Sequence, residues 1–279
     1  MQKFVEQKFI GERAMFGAKD AEFERCGFAA GESPLKHGQN LRLKNCTFEW
    51  KYPLWYTKNV AVEGGFLMRM ARAGIWYARD VSFKDTLIQA PKSFRRCQNV
   101  RLENVNLTQA EETLWSCADA EIKNVCARGD YFAMNCENVR VYGLNLDGNY
   151  GFDGCKNVLV EDSKLLSKDA FWNCENVTVR NSFISGEYLA WNSKNVTFEN
   201  CVIESLQGLC YVQNLVLRGC QTLDTTLAFE YSSVDVEILG GIASVKNPLS
   251  GVIRAREIGE IIMDEECVDP AATRIILEK

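Results

Sequence analysis

An Asn or Asp followed by apolar-x-apolar returns twelve times along this chain, at Asp20, Asn40, Asn59, Asp80, Asn99, Asp119, Asn138, Asn157, Asn176, Asn195, Asn214 and Asp235, in steps of 19 to 21 residues. A fixed period of that length marks a solenoid, in which each repeat buries its apolar face only against its neighbours. Aligned on this column, the next position is always Ala, Val or Leu, and the position two beyond it is always Phe, Leu, Val or Ile. Apolar residues at period two belong to a strand with one buried face.

The charges set the register of those strands. Four positions past the Asn column the chain reads Glu24, Lys44, Glu63, Lys84, Glu103, Lys123, Tyr142, Glu161, Arg180, Glu199 and Arg218. The sign alternates coil by coil, with one tyrosine as the break. Directly stacked strands lie about 4.8 Å apart, where opposite charges help and like charges hurt. In-register parallel stacking explains the pattern.

Two further strands are expected in each coil. One is short, as at 46–48 and 201–203. The other precedes the next Asn, as at 53–56 and 170–173. Gly, Asn and Asp supply the corners, and the Asn column is expected to form a stacked side-chain ladder at one bend, a structural role. The units of five or six residues used by pentapeptide-repeat and left-handed solenoids do not fit the spacing. Parallel crossovers favour the right hand. The fold expected is therefore all-β: one single-stranded right-handed parallel β-helix with about twelve coils of roughly 19 residues. It spans 1–245, and 246–279 caps the open end of the same domain.

A net charge of −5 and a pI near 5.2 speak against a nucleic-acid partner, which ordinarily meets a basic surface. No apolar run approaches a membrane span. The opening stretch MQKFVEQKFIGERAMF has no continuous apolar core, so no secretory signal is read there and a cytoplasmic location is expected. Twelve cysteines without a Cys-x-x-Cys pair, beside a single histidine, give no zinc site, and no cofactor is expected. Cys97, Cys117, Cys136, Cys155 and Cys174 fall in one column, and Cys26, Cys46, Cys201 and Cys220 in another, as small apolar fillers of a stacked core.

The first coils carry GERAMF (11–16), GESPLK (31–36), KYPLWY (51–56) and ARAGIWY (71–77). With the Asn-Val-x-Val repeat, these resemble a bacterial family catalogued as domain of unknown function number 3737, across essentially the whole chain. The resemblance implies a β-helix and brings no catalytic residues with it. Polysaccharide lyases and hydrolases share the architecture, an analogy of fold alone. The paired-aspartate and Gly-His-Gly signatures of polygalacturonases are missing, as is the Asp-His signature of pectate lyases.

Two constellations are candidates for function. Four positions before the Asn column stand Trp55, Trp76, Trp115, Trp172 and Trp191, next to a column that is apolar until Glu230. Alternation turns the tryptophans outward, as a sugar-binding surface or as a contact covered by a loop or a second copy. Eight positions before the Asn column Glu12 and Glu32 stack, followed by Lys51 and Arg72, a breach of the charge alternation seen elsewhere. Close carboxylates acquire separated pKa values and suit acid–base work on a glycoside, making Glu12 and Glu32 the catalytic candidates. Lys36, His37, Lys51, Tyr52, Trp55, Tyr56, Arg72, Trp76 and Tyr77 would then bind substrate, the cations holding a uronate or phosphate. The structural alternative pairs Glu12 with Arg13 and Glu32 with Lys51, and leaves His37 as a surface histidine. The functional expectation is a carbohydrate-binding or carbohydrate-processing β-helix. A non-catalytic scaffold that associates through the aromatic stripe, with itself or with a partner, is the alternative.

Overall fold

The computed structural model describes residues 1–278, and among them there is no helix. The chain is an all-β parallel solenoid of about 15 turns, against the twelve coils counted from the Asn column. The additional turns lie where that column lapses. Gln2–Val5 pairs in parallel with Lys19–Glu24 although Met1 stands where the Asn would be. Ser250–Ala255 and Thr273–Leu277 continue the stack from Ser233–Ile238 within the segment expected to act as a cap. There the spacing changes to 17 residues (Val234 to Gly251) and then 22 (Gly251 to Thr273), which hides the period.

Met1–Asn145 forms one compact unit and the chain from Leu146 onward a second. In the first, Lys19–Glu24, Gln39–Lys44, Lys58–Glu63, Arg79–Lys84 and Gln98–Glu103 stack in parallel. Their register places Glu24 against Lys44, Lys44 against Glu63, Glu63 against Lys84 and Lys84 against Glu103. The charge column is therefore a true ladder, and Lys84 Nζ lies 3.2 Å from Glu103 Oε1. Short strands such as Gly27–Phe28, Thr47–Phe48 and Phe66–Leu67 form a second stack, with Phe28 and Phe48 face to face at 4.8 Å in the core.

In the first unit a left-handed residue stands second in each six-residue strand and another follows the strand directly. The Asn column has positive φ, as at Asn40 (51°) and Asn59 (54°), and so does the position after the strand, Asn45, Gly64, Asp85 or Asn104. Asn, Asp and Gly tolerate that conformation best, which is why they occupy both corners. The Asn side chains form the expected ladder: Asn59 Nδ2 donates to Asn40 Oδ1 (2.9 Å), and Asn40 Nδ2 to Asp20 Oδ1 (2.8 Å).

The third side of each coil differs from the expected strand. Tyr52, Leu54 and Tyr56 all have positive φ, as do Ala73, Ile75 and Tyr77 in the next coil, so this side is a ribbon of alternating turns. Its backbone groups still pair between coils: Tyr56 N donates to Trp76 O (2.9 Å) and Leu54 N to Pro34 O (3.0 Å). Inter-coil bonding satisfies the peptide groups without a pleat, and the inside–outside alternation survives.

In the second unit Lys156–Glu161, Glu175–Arg180, Lys194–Glu199 and the start of Gln213–Thr226 stack likewise, aligning Glu161, Arg180, Glu199 and Arg218. The Asn ladder runs through Asn157, Asn176, Asn195 and Asn214 at 2.9, 2.9 and 3.0 Å. Phe152 and Phe171 stack at 5.2 Å in its core.

Candidate functional site

In the first unit the turn ribbon buries Leu35, Leu54, Ile75, Phe94 and Leu114 completely or nearly so. Alternation sends Lys36, Trp55, Trp76, Arg95 and Trp115 outward, where they are half-buried. One coil of separation brings their side chains into contact. Trp55 and Trp76 lie flat on each other at 5.0 Å and 7°, and Tyr56 and Tyr77 at 4.9 Å and 4°. Lys36 Nζ stands 5.5 Å from the rings of both Trp55 and Tyr56, and His37 stacks on Tyr56 at 5.1 Å. The Arg95 guanidinium is held between Trp76 (4.7 Å) and Trp115 (4.9 Å). Tyr52 tilts against Trp55 at 5.1 Å. The indole N–H groups of Trp55 and Trp76 donate to the backbone carbonyls of Ala73 (2.6 Å) and Lys92 (2.8 Å).

This geometry changes what the stripe can do. Sugars stack on ring faces, and both faces of Trp55 and Trp76 are taken by neighbours. The column is a cation–aromatic ladder that presents edges to solvent, worth about 0.5–2 kcal/mol per cation–ring contact.

The acidic pair is engaged as well. Glu32 Oε1 lies 2.7 Å from Lys51 Nζ, the ion pair of the structural alternative, and the hydrogen bond to Glu32 raises the Lys51 pKa. Glu12 does not take Arg13. Its Oε1 accepts the backbone N–H of Glu32 at 3.2 Å, and Arg13 lies over Phe16 at 5.8 Å.

Of the residues singled out on the N-terminal coils, Arg72 lines a concave surface. A cleft of about 580 Å3 is lined by Arg69, Met70, Arg72, Pro91, Lys92, Gln109 and Glu111. Its volume is in the range of small-molecule sites. Longer coils build it. The 21-residue step from Asn59 to Asp80 adds a turn closed by Ala71 N donating to Met68 O (2.8 Å), which exposes Arg69 and Met70. The 20-residue step from Asn99 to Asp119 adds a turn at Thr108 and Gln109. Those long steps were the available signal for Arg69 and Gln109. Glu111 stands in the Arg72 column two coils on.

The cleft's cations are not equivalent. Lys92 Nζ lies 2.9 Å from Glu112 Oε1, and Arg95 lies 2.7 Å from Glu112 Oε2. Burial pushes the Glu112 carboxyl up, but hydrogen bonds from Lys92 and Arg95 outweigh it and hold the pKa below the ordinary carboxylate range. Among the described residues, the side chains of Arg69 and Arg72 have no ion pair and no hydrogen bond. Two unengaged guanidinium forks match a carboxylate or phosphate, and Gln109 and Glu111 can bond hydroxyl groups beside them. Among the described residues no group of three or more His, Cys, Asp and Glu could hold a metal ion.

A family profile described as "Protein of unknown function (DUF3737)" matches residues 2–276. No curated protein matches the sequence. Among solved structures, PfbA, a surface adhesin of Streptococcus pneumoniae, is 11% identical over 84% of this chain and 76% of its own, with a TM-score of 0.42. The Azotobacter vinelandii mannuronan C-5 epimerase AlgE4 A-module is 8% identical over 99% of this chain and 87% of its own, at 0.27. An exopolygalacturonase from Thermotoga maritima is 7% identical over 99% and 83%, at 0.22. Likeness this shallow says nothing of what the present chain binds.

Proposed function

The chain belongs to the DUF3737 family, and for it we propose a carbohydrate-binding function in which an anionic sugar, a uronate or sugar phosphate, docks in the cleft of the first unit. The observation that carries this reading is the pair of unengaged guanidinium groups, Arg69 and Arg72, on one concave surface. They clamp the anionic substituent. Gln109 and Glu111 bond the ring hydroxyls, while Met70 and Pro91 offer apolar contact. Trp55, Trp76, Tyr56, Tyr77, Lys36 and His37 stack on one another and are not the platform, with Trp76 touching the cleft lining through its bond to the Lys92 carbonyl. Glu12 and Glu32 are not asked for acid–base work, since Glu32 holds Lys51 and Glu12 holds the Glu32 N–H.

Calorimetric titration with D-glucuronate, inorganic phosphate and D-glucose tests it. The two anions should bind and glucose should not. Arg69→Gln and Arg72→Gln should each weaken glucuronate about tenfold or more, the scale of a lost charge-assisted hydrogen bond. Equal binding of glucose, or unchanged glucuronate affinity in both variants, would refute the cleft. If light scattering then showed Trp55→Ala and Trp76→Ala altering the molecular mass, the scaffold alternative would stand.

A further inference from the structure

In the second unit the same columns build a different object. Trp172 and Trp191 are adjacent in the aromatic column but lie 6.3 Å apart and inclined by 32°, so they do not close on each other as Trp55 and Trp76 do. Tyr150 meets Trp172 edge-on at 6.2 Å, and Tyr188 meets Trp191 edge-on at 5.7 Å. Between these rings is a pocket of about 320 Å3, which Lys168 and Asp169 also line.

Asp169 is the informative residue. It is 2% exposed, and among the described residues its Oδ1 has no hydrogen-bond partner. A buried acceptor left unsatisfied is costly, and native structures keep few of them. The orphaned oxygen, which lacks a donor, belongs to a carboxylate that lines the pocket. Burial raises the Asp169 pKa, Lys168 lowers it, Glu187 raises it, a hydrogen bond from Tyr150 lowers it and Asp153 raises it. Lys168 offsets only part of this negative charge, because its Nζ is also engaged 2.9 Å from Glu187 and 5.5 Å from the Tyr188 ring centre. Three carboxylates thus stand against one ammonium beside a box of electron-rich rings.

We propose that this pocket binds a small organic cation, an ammonium or guanidinium group on a short hydrocarbon body, which donates to Asp169 Oδ1 and packs against Trp172 and Trp191. Ring faces and edges discriminate by charge, and a desolvated cation over aromatic rings is held more strongly than a neutral isostere. The pocket volume stands at the low end of small-molecule sites, which suits a small ligand. The site is independent of the anion cleft: it lies in the other unit and takes the opposite charge.

The test uses the full chain with n-butylammonium, agmatine and, as neutral controls, butan-1-ol and D-glucose, followed by ligand-observed NMR and calorimetry. The two cations should bind and the neutral probes should not. Asp169→Asn should weaken butylammonium about tenfold or more, by removing a charged acceptor. Lys168→Met removes a competing cation and should tighten binding severalfold, which a purely structural role for this wall does not produce. Acidification should weaken binding in the wild type, because protonation of Asp169 removes the charge that holds the ligand. A neutral probe binding as well as butylammonium would overturn the proposal. So would Asp169→Asn with unchanged affinity, Lys168→Met with unchanged or weaker affinity, or no response to either cation at about 10 mM.

Discussion

Replacing one rung of the Asn ladder separates its two physical contributions. Asn195 has φ +55°, donates through Nδ2 to Asn176 Oδ1 at 2.9 Å and accepts from Asn214 Nδ2 at 3.0 Å. Both bonds are exposed to solvent. Each is therefore worth about 0.5 kcal/mol, the low end of the net range, or about 1 kcal/mol for the two. An ordinary side chain in the left-handed region costs a further 1–2 kcal/mol or so, which Asn largely escapes and Gly escapes entirely. Asn195→Ala should thus lose about 2–3 kcal/mol. Asn195→Gly loses the bonds and adds about 0.5–1 kcal/mol of chain flexibility, for a total of about 1.5–2 kcal/mol. Asn195→Asp keeps the bond from Asn214 and gives up the one to Asn176, about 0.5 kcal/mol. Urea unfolding followed by far-UV circular dichroism should rank the variants Asp, Gly, Ala in falling stability. An alanine variant as stable as the glycine variant would refute the backbone argument, since elsewhere in a strand alanine is the better of the two.

Two further outcomes follow from the buried chemistry. Glu112 is held below its ordinary 4.5, so its contribution is complete above that pH and lost as pH falls through the lower folded value. Glu112→Gln should cost about 1–2 kcal/mol near neutrality after allowing for screening, and the gap from wild type in urea midpoint should narrow on acidification; a gap that widens instead would reverse the assignment. Burial pushes Cys46 up to about 11 and a hydrogen bond with Cys201 brings Cys220 down to about 7, but both are shielded, so exposure sets the order and thiol reagents should reach the exposed Cys126 first and then the half-buried Cys267. The ten buried thiols should react only on unfolding, for a total of twelve, and a shortfall of two that reductant restores would contradict the all-thiol state.

The strands and their register were legible as far as Asn214 because each coil writes the same sentence; in the next coil Val234 rather than Val236 pairs with Leu215, so Asp235 lies two residues past the Asn column. Val100, placed by the Asn column, pairs with Val81 and Ala120 as the charges require. The end turns were not legible, because Gln2–Val5 lacks the Asn and the last spacings change. Periodicity also misassigned the third side: a pleated strand and an alternating-turn ribbon both send side chains in and out at period two, and only φ tells them apart. The same blindness affected the aromatic stripe. Its outward direction was readable at Trp55 and Trp76, yet their mutual stacking depends on ring tilt, which a column of letters does not carry. Asp169 passed unnoticed between Tyr150 and Tyr188 for a related reason, since its orphaned oxygen is a fact of geometry.

Pairing each strand with its counterpart one coil away has a kinetic meaning. Partners such as Lys156 and Glu175 are 19 residues apart in a chain of 279, a relative separation of about 0.07. That value belongs to helical bundles, whereas parallel sheets ordinarily wait on the closure of much longer loops. Here each added coil closes a loop of the same modest length, so ordering can begin anywhere and zip in either direction. During synthesis the last finished coil presents a row of open peptide groups. The next 19 residues to emerge find their template already in place.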